Sequence, residues 1–94
     1  MTPDYVRDEV QFAIRSLQSM VKSQFAIDWQ EHLAEDFHES YTNPFGATIP
    51  NFVDAAIYEA ENILEVMNPE HPDYRIIDGF AATMRKFSPK KGKG

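Results

Sequence analysis

The sequence predicts an all-α fold, a small bundle of about four amphipathic helices with a disordered basic C-terminal tail. Apolar residues recur in steps of three and four along most of the chain, and proline-containing clusters interrupt that pattern at a few points. The 94 residues, 43% of them hydrophobic, suit a single core. We expect one helical domain over residues 1–87, a flexible tail over 88–94, and helices at approximately 3–26, 28–41, 51–67 and 73–87.

Helix 1 is predicted to begin at the segment Thr2-Pro3-Asp4. A threonine hydroxyl can accept a hydrogen bond from a free N–H group, proline suits the first helical position, and an acid suits the positive end of the helix. The predicted apolar stripe consists of Val6, Val10, Ala13, Ile14, Leu17, Met20, Val21, Gln24 and Ile27. The pattern weakens at Ser23, and Asp28 has the features of a new N-cap, so we expect a kink or a break between 23 and 28.

Helix 2 is predicted to have one apolar side and one acidic side. The apolar side consists of Trp29, Leu33, Ala34, Phe37 and Tyr41, and the acidic side of Glu31, Glu35 and Glu39. The segment Asn43-Pro44-Phe45-Gly46 then predicts a turn, within a loop that ends near Pro50. Its first three residues also match a short ligand motif of endocytic adaptor-binding domains, but asparagine followed by proline forms turns in many proteins, and we interpret the segment as a turn.

Helix 3 has the most regular apolar face, and Asn68-Pro69 ends it because proline cannot continue the helical hydrogen bonds. The apolar face consists of Phe52, Val53, Ala56, Ile57, Ala60, Ile63, Leu64 and Met67. We expect His71 in a linker and Asp73 as the N-cap of helix 4. The apolar side of helix 4 consists of Ile76, Ile77, Phe80, Met84 and Phe87. Helices 1, 3 and 4 are expected to form the core, with helix 2 packed on them through a narrower aromatic stripe.

The charges are distributed unevenly along the chain. The net charge is −6, yet residues 1–84 contain all fifteen carboxylates and only four Lys or Arg, which gives −11, and the last ten residues carry +5. Acidic faces attract basic surfaces, and a basic segment can bind phosphates or an acidic protein surface. The predicted partner-binding residues are Glu31, Glu35, Glu39, Glu61 and Glu65 on the acidic side and Arg85, Lys86, Lys90, Lys91 and Lys93 on the basic side.

Several functional classes find no support in the sequence. The absence of cysteine excludes disulfides, thiolate metal sites and thiol nucleophiles. The four glycines form no phosphate-binding loop, and no serine lies in the strand-to-helix setting that activates its hydroxyl. We therefore predict no enzymatic activity, no catalytic residues and no cofactor. The chain contains neither a signal-peptide pattern nor a run of about 20 apolar residues, so we expect a cytoplasmic protein without membrane association.

One cluster on helix 2 raises the alternative of a metal site. Glu35 and His38 form a Glu-x-x-His pair, the spacing that di-iron carboxylate bundles use, and Glu61 on helix 3 is a further candidate ligand. The chain has no second pair of this kind, so a ferritin-like site requires a second subunit. Because Glu35 and His38 lie opposite the apolar side of helix 2, we interpret them as part of a hydrated acidic face.

The leading functional prediction is a non-enzymatic protein–protein interaction module, a subunit of a homo-oligomer or a larger assembly. It rests on four amphipathic helices in a short chain together with the separation of acidic and basic surfaces. The basic tail is expected to touch nucleic acid, an acidic protein surface, or the acidic face of a second copy. The alternatives are the ferritin-like metal protein and an acidic mimic of DNA that inhibits a nucleic-acid-binding protein.

Overall fold

The computed structural model of the protein describes residues 4–42 and 49–88. These residues form four helices, α1 (Asp4–Met20), α2 (Gln24–Thr42), α3 (Ile49–Val66) and α4 (Pro72–Arg85). The predicted all-α bundle is therefore confirmed. The expectations for Thr2 and Pro3, for the turn at residues 43–46, and for the disordered tail with Lys90, Lys91 and Lys93 lie outside the described residues, as does the side chain of Tyr41.

The helices pack in a cycle in which each has two main neighbours. The helix α1 contacts α2 and α4, and α3 contacts the same two helices, with the largest contact between α3 and α4. The expectation that helices 1, 3 and 4 form the core is therefore incomplete, because α2 lies between α1 and α3 and contributes its own buried residues. The buried apolar core consists of Val10, Ile14, Leu17, Val21, Ala26, Leu33, Phe37, Ile49, Phe52, Val53, Ala56, Ala60, Ile77, Phe80, Ala81 and Met84.

The boundary between the first two helices differs from the prediction. The chain breaks over residues 21–23, and α2 begins at Gln24 rather than at Asp28. Asp28 lies one turn inside α2, where its Oδ1 accepts a hydrogen bond from Gln24 Nε2 at 3.0 Å. Asp28 is therefore not the N-cap of α2, because the helical hydrogen bonds already begin at the Ser23 carbonyl, which accepts from the N–H groups of Ala26 and Ile27.

The inner side of α2 also differs in part. Leu33 and Phe37 are buried as predicted, and the Phe37 ring lies 5.3 Å from that of Phe52. Ala34 is exposed, however, and the buried positions include Ala26 and Gln30 instead. The inner side of α2 is thus rotated relative to the predicted one.

The start of α4 corrects a second capping prediction. The N-cap is His71, whose Nδ1 accepts a hydrogen bond from the N–H of Asp73 at 2.9 Å, and Pro72 occupies the first helical position. Asp73 is therefore not the N-cap. After α4, Phe87 is half-buried and the Ser88 hydroxyl donates to Asp54 Oδ1 at 2.8 Å, so the chain stays against α3 as far as Ser88.

Candidate functional site

A groove runs between α1 and α4 on the surface of the bundle. Its volume is about 580 Å³. On the α1 side it is lined by Glu9, Phe12, Ala13, Ser16, Leu17 and Met20. On the α4 side it is lined by Arg75, Ile76, Gly79, Phe80, Thr83 and Lys86. The lining runs from Glu9 to Met20 on one side and from Arg75 to Lys86 on the other. Each range spans twelve residues, a length of about 16 Å or three helical turns.

The floor of the groove is apolar, and one rim exposes an aromatic ring. Leu17 and Phe80 are buried, whereas Ala13 and Ile76 are half-buried and partly open to the groove. Phe12 is 71% exposed. It lies outside the apolar stripe that α1 turns toward the core, because it is neither three nor four residues from Val10 or Leu17. A large, exposed apolar side chain, whose burial would be favourable, is thus located beside an open apolar groove.

Gly79 leaves one position in the middle of the α4 side of the groove without a side chain. It is exposed in the middle of α4, and a Cβ added there would meet no atom within 4 Å. Packing within the chain therefore does not require a glycine at this position. A glycine inside a helix costs about 0.5–1 kcal/mol relative to alanine, so α4 is destabilised at a point where the surface gains space for close approach.

A buried carboxylate holds α1 and α4 side by side. Asp73, 0% exposed, accepts hydrogen bonds from the N–H of Lys22 to Oδ1 and the N–H of Ser23 to Oδ2, both at 2.8 Å, and the Ser23 hydroxyl also donates to Oδ2. These donors lie just after α1 and just before α2. The start of α4 therefore lies at the end of α1, which makes these two helices antiparallel and fixes the two sides of the groove.

The pKa of this carboxyl reflects its surroundings. Burial raises the pKa of Asp73, whereas the hydrogen bonds from the Ser23 hydroxyl, the Ser23 N–H and the Lys22 N–H, together with nearby His71, lower it by more. The pKa therefore lies below its ordinary value, and Asp73 is ionised at neutral pH. An ionised carboxylate is the form that accepts three hydrogen bonds without donating one.

On the side away from the groove, the Phe80 ring packs against Trp29 of α2, which is in turn bonded to α3. The Trp29 ring lies edge-on to the Phe80 ring, with 5.7 Å between the centroids. Trp29 Nε1 donates a hydrogen bond to Glu59 Oε1 at 2.9 Å. The floor of the groove is thus supported from behind by an aromatic contact, which favours a groove that is already formed before anything binds.

The charges of the described residues separate by helix. The helices α2 and α3 carry nine carboxylates and neither Lys nor Arg. The six Lys and Arg of the described residues all belong to α1, α4 or the residues that directly follow them. Arg75 and Lys86 line the two ends of the groove, and Glu9 is the one acid among its lining residues. The helices α1 and α4 and the residues that follow them also carry five carboxylates, so the groove lies on a nearly neutral side of an acidic molecule.

The structure places the predicted partner-binding residues in two groups. Glu31, Glu35 and Glu39 are exposed on α2, and Glu61 and Glu65 on α3. The Glu61 carboxylate, however, accepts from Arg85 Nη2 at 3.0 Å, so one predicted acid pairs with one predicted base inside the molecule. Exposed ion pairs of this kind contribute about 0–1 kcal/mol. Of the two predicted bases that the structure describes, Lys86 lines the groove and Arg85 does not.

The candidate metal ligands are not brought together. Glu35 and His38 are exposed on α2, and Glu61 pairs with Arg85. Within residues 4–42 and 49–88, no group of three His, Cys, Asp or Glu side chains is arranged to hold a metal ion. A site completed by a second subunit stays a prediction, as does mimicry of DNA by the carboxylates of α2 and α3.

Sequence reasoning missed the groove, although two of its residues carry a signal. Phe12 is a large apolar residue off the stripe of its helix, and Gly79 lies inside a helix where it caps nothing. Neither residue indicates a site until α1 and α4 are known to be neighbours. Comparison with models of protein families, with curated proteins and with solved structures finds no match to this chain.

The helices of the described residues can be compared with what a membrane span requires. None of its helices combines the length and the apolar content that crossing a bilayer requires. The chemistry that the groove offers is binding, with apolar area in the middle and a cationic side chain at each end.

Proposed function

We propose that this protein is a non-enzymatic protein–protein interaction module that binds an amphipathic helix in the groove between α1 and α4. The observation that carries the proposal is an open apolar groove with Phe12 exposed at its rim and Gly79 bare on its α4 side. As the sequence suggested, we infer a subunit of a homo-oligomer or of a larger assembly. The absence of cysteine favours the cytoplasm as its compartment.

The shape of the groove favours a helix as its ligand. Two antiparallel helices line it over about three turns, and recognition of a helix in a groove uses apolar residues at positions i, i+3 or i+4, and i+7 of the ligand. A third helix laid along the groove places such residues over Ala13, Ile76 and Phe80. The bare backbone at Gly79 permits the close approach that this packing needs.

The charges favour an acidic ligand. Arg75 and Lys86 lie at the ends of the groove, so carboxylates near both ends of the bound helix would meet a cation. Ion pairs at the rim of an interface raise the rate of association and select among partners more than they strengthen binding. We therefore expect apolar contacts to supply most of the affinity and the two cations to select for acidic helices.

Site-specific photocrosslinking in cells tests the proposal. A benzophenone amino acid replaces Phe12 at the groove, and in a matched control it replaces Phe25, an exposed phenylalanine on α2 outside the groove. We expect discrete protein adducts from position 12, their loss when Gly79→Leu fills the groove, and their absence from position 25. No adduct from position 12, or the same adducts from both positions, would overturn the proposal.

A further inference from the structure

We infer that the ligand of the groove is the outer face of α3 from a second copy of this chain, an inference that rests on the proposed function. The outer face of α3 is defined here by four exposed residues, Ala55, Tyr58, Asn62 and Val66. Tyr58 is 67% exposed and Val66 is 84% exposed. They lie three, four and four residues apart, so they form one stripe along the helix, and the acids Glu61 and Glu65 flank it.

The register of the two helices supports the pairing. In α4, Arg75 is followed by Gly79 after four residues and by Lys86 after seven more. In α3, Asp54 is followed by Tyr58 after four residues and by Glu65 after seven more. When α3 of a second copy lies parallel to α4 in this register, Lys86 meets Glu65 and the tyrosine ring lies over the glycine. Arg75 meets Asp54, which is half-buried and also accepts from the Ser88 hydroxyl of its own chain.

This register matches size as well as charge. Gly79 is the position on α4 where a Cβ would meet nothing within 4 Å, and Tyr58 is the largest exposed side chain of α3. Burial of Tyr58 against the apolar floor gains hydrophobic free energy, and its hydroxyl at the edge stays accessible to water. In the same register Asn62 of α3 lies beside Thr83 of α4, so a polar residue meets a polar residue.

The overall charge distribution favours this pairing over contact between two copies of the same face. Two grooves brought together would place Arg75 and Lys86 near cations of the same sign. The acidic face of α3 instead meets a groove whose lining carries two cations, Arg75 and Lys86, and one carboxylate, Glu9, and opposite charges favour that encounter.

The proposed contact joins the groove of one copy to a different surface, the outer face of α3, of another copy. The groove belongs to α1 and α4 and the outer face to α3, so a single copy can use both at once. Such a head-to-tail contact closes into a ring or continues as a filament. Because one helix face of about three turns makes a small interface, we expect weak, concentration-dependent assembly that salt weakens further.

Sedimentation velocity of the full chain from ~10 μM to ~1 mM tests this inference. Gly79→Leu blocks the groove, and Tyr58→Lys disrupts the outer face of α3. We expect either variant to weaken self-association at least tenfold. The matched controls Ala34→Leu and Phe25→Lys, both at exposed positions of α2, should leave it unchanged.

Mixing the two variants gives a sharper result. Gly79→Leu keeps a functional α3 face and Tyr58→Lys keeps an open groove, so an equimolar mixture should form dimers of one copy of each and nothing larger. A second measurement exchanges one charge pair. Lys86→Glu should weaken assembly, and adding Glu65→Lys in the same chain should restore part of it.

The outcomes separate this inference from the proposed function. A chain that stays monomeric up to ~1 mM, or Tyr58→Lys that assembles like the unmodified protein, would overturn the inference. Photocrosslinks from position 12 to a different protein would then leave the proposed function standing. Crosslinks from position 12 of one copy to Tyr58 or its neighbours in a second copy would support both.

Discussion

Asp73 and Ser23 connect the beginnings of α4 and α2, two helices that are not consecutive in sequence and are not main packing neighbours. The carboxylate of Asp73, in the first turn of α4, accepts hydrogen bonds from both the N–H and the hydroxyl of Ser23, which directly precedes α2. The N–H of Lys22 donates to the same carboxylate. The donors lie in the short connection that precedes α2, so a distant residue satisfies N–H groups that belong to neither helix.

Asp73→Asn should destabilise the protein by about 1–3 kcal/mol at neutral pH, because an amide oxygen accepts fewer hydrogen bonds than a carboxylate and its NH₂ group would face donors. Urea unfolding monitored by circular dichroism gives this value. Asp8→Asn, at an exposed position of α1, is the control and should change stability by less than about 0.5 kcal/mol. A loss for Asp73→Asn no larger than the control would contradict the role of the carboxylate.

The same carboxylate predicts a dependence of stability on pH. The pKa of Asp73 is lower in the folded protein than the value of about 3.9 expected when unfolded. Its contribution to stability is therefore complete above the unfolded value and is lost as pH falls through the folded one. Unfolding free energies between pH 7 and pH 2.5 should fall more steeply for the unmodified protein than for Asp73→Asn. Parallel curves for the two proteins would show that other groups cause the acid sensitivity.

The hydrogen bond from Trp29 to Glu59 links α2 to α3 behind the groove. A double-mutant cycle with Trp29→Phe and Glu59→Gln should give a coupling energy of about 0.5–1.5 kcal/mol, the usual net contribution of a hydrogen bond between half-buried side chains. Chemical unfolding of the four proteins measures it. Additive effects within about 0.3 kcal/mol would mean that the bond contributes nothing measurable to stability.

Gly79→Ala should stabilise the isolated chain by about 0.5–1 kcal/mol, because alanine favours the helix and the added Cβ meets no atom within 4 Å. Ala82→Gly, at an exposed position of the same helix, is the reverse control and should destabilise it by a similar amount. Thermal unfolding at low protein concentration separates this effect from assembly. A destabilising Gly79→Ala would mean that the position is constrained within the chain.

Gln30 is 3% exposed, and its Oε1 has no hydrogen-bond donor among the described residues, whereas its Nε2 donates to the Ile14 carbonyl at 3.2 Å. The Ile14 carbonyl lies inside α1, where helical bonding also satisfies it. Gln30→Leu should therefore be neutral or stabilise the protein by up to about 1 kcal/mol, since it removes a buried polar group. Chemical unfolding measures the change. A loss above about 1 kcal/mol would show that the amide has a partner that leucine cannot replace.

The sequence predicts the helices well where one face repeats without interruption. In α3 the pattern identifies Phe52, Val53, Ala56 and Ala60 correctly as buried, because a regular 3.6-residue period has one inner side. In α2 the pattern is weaker: it predicts Ala34 on the inner side, whereas the structure exposes Ala34 and buries Gln30. A small apolar residue costs little when exposed, so its type alone does not determine its position.

The capping residues show why the remaining details require the fold. Asp28 and Asp73 both have the local features of an N-cap. The structure places Asp28 inside α2 and Asp73 in the first turn of α4, so neither residue is an N-cap. His71 caps α4 although histidine is an uncommon N-cap. The acceptor for the N–H of Ser23, just before α2, is 50 residues away in the chain, and local patterns contain no information about such pairs. The groove is a property of the same kind, since it exists only where α1 and α4 lie together.

The position of Asp73 late in the sequence also determines when its hydrogen bonds can form during synthesis on the ribosome. The chain that forms α1 and α2 is synthesised first, but the carboxylate that accepts from Lys22 and Ser23 emerges only after α3 is complete. Until then the junction between the first two helices lacks its acceptor. The connection between the first two helices therefore reaches its final set of hydrogen bonds only after the fourth helix has been synthesised.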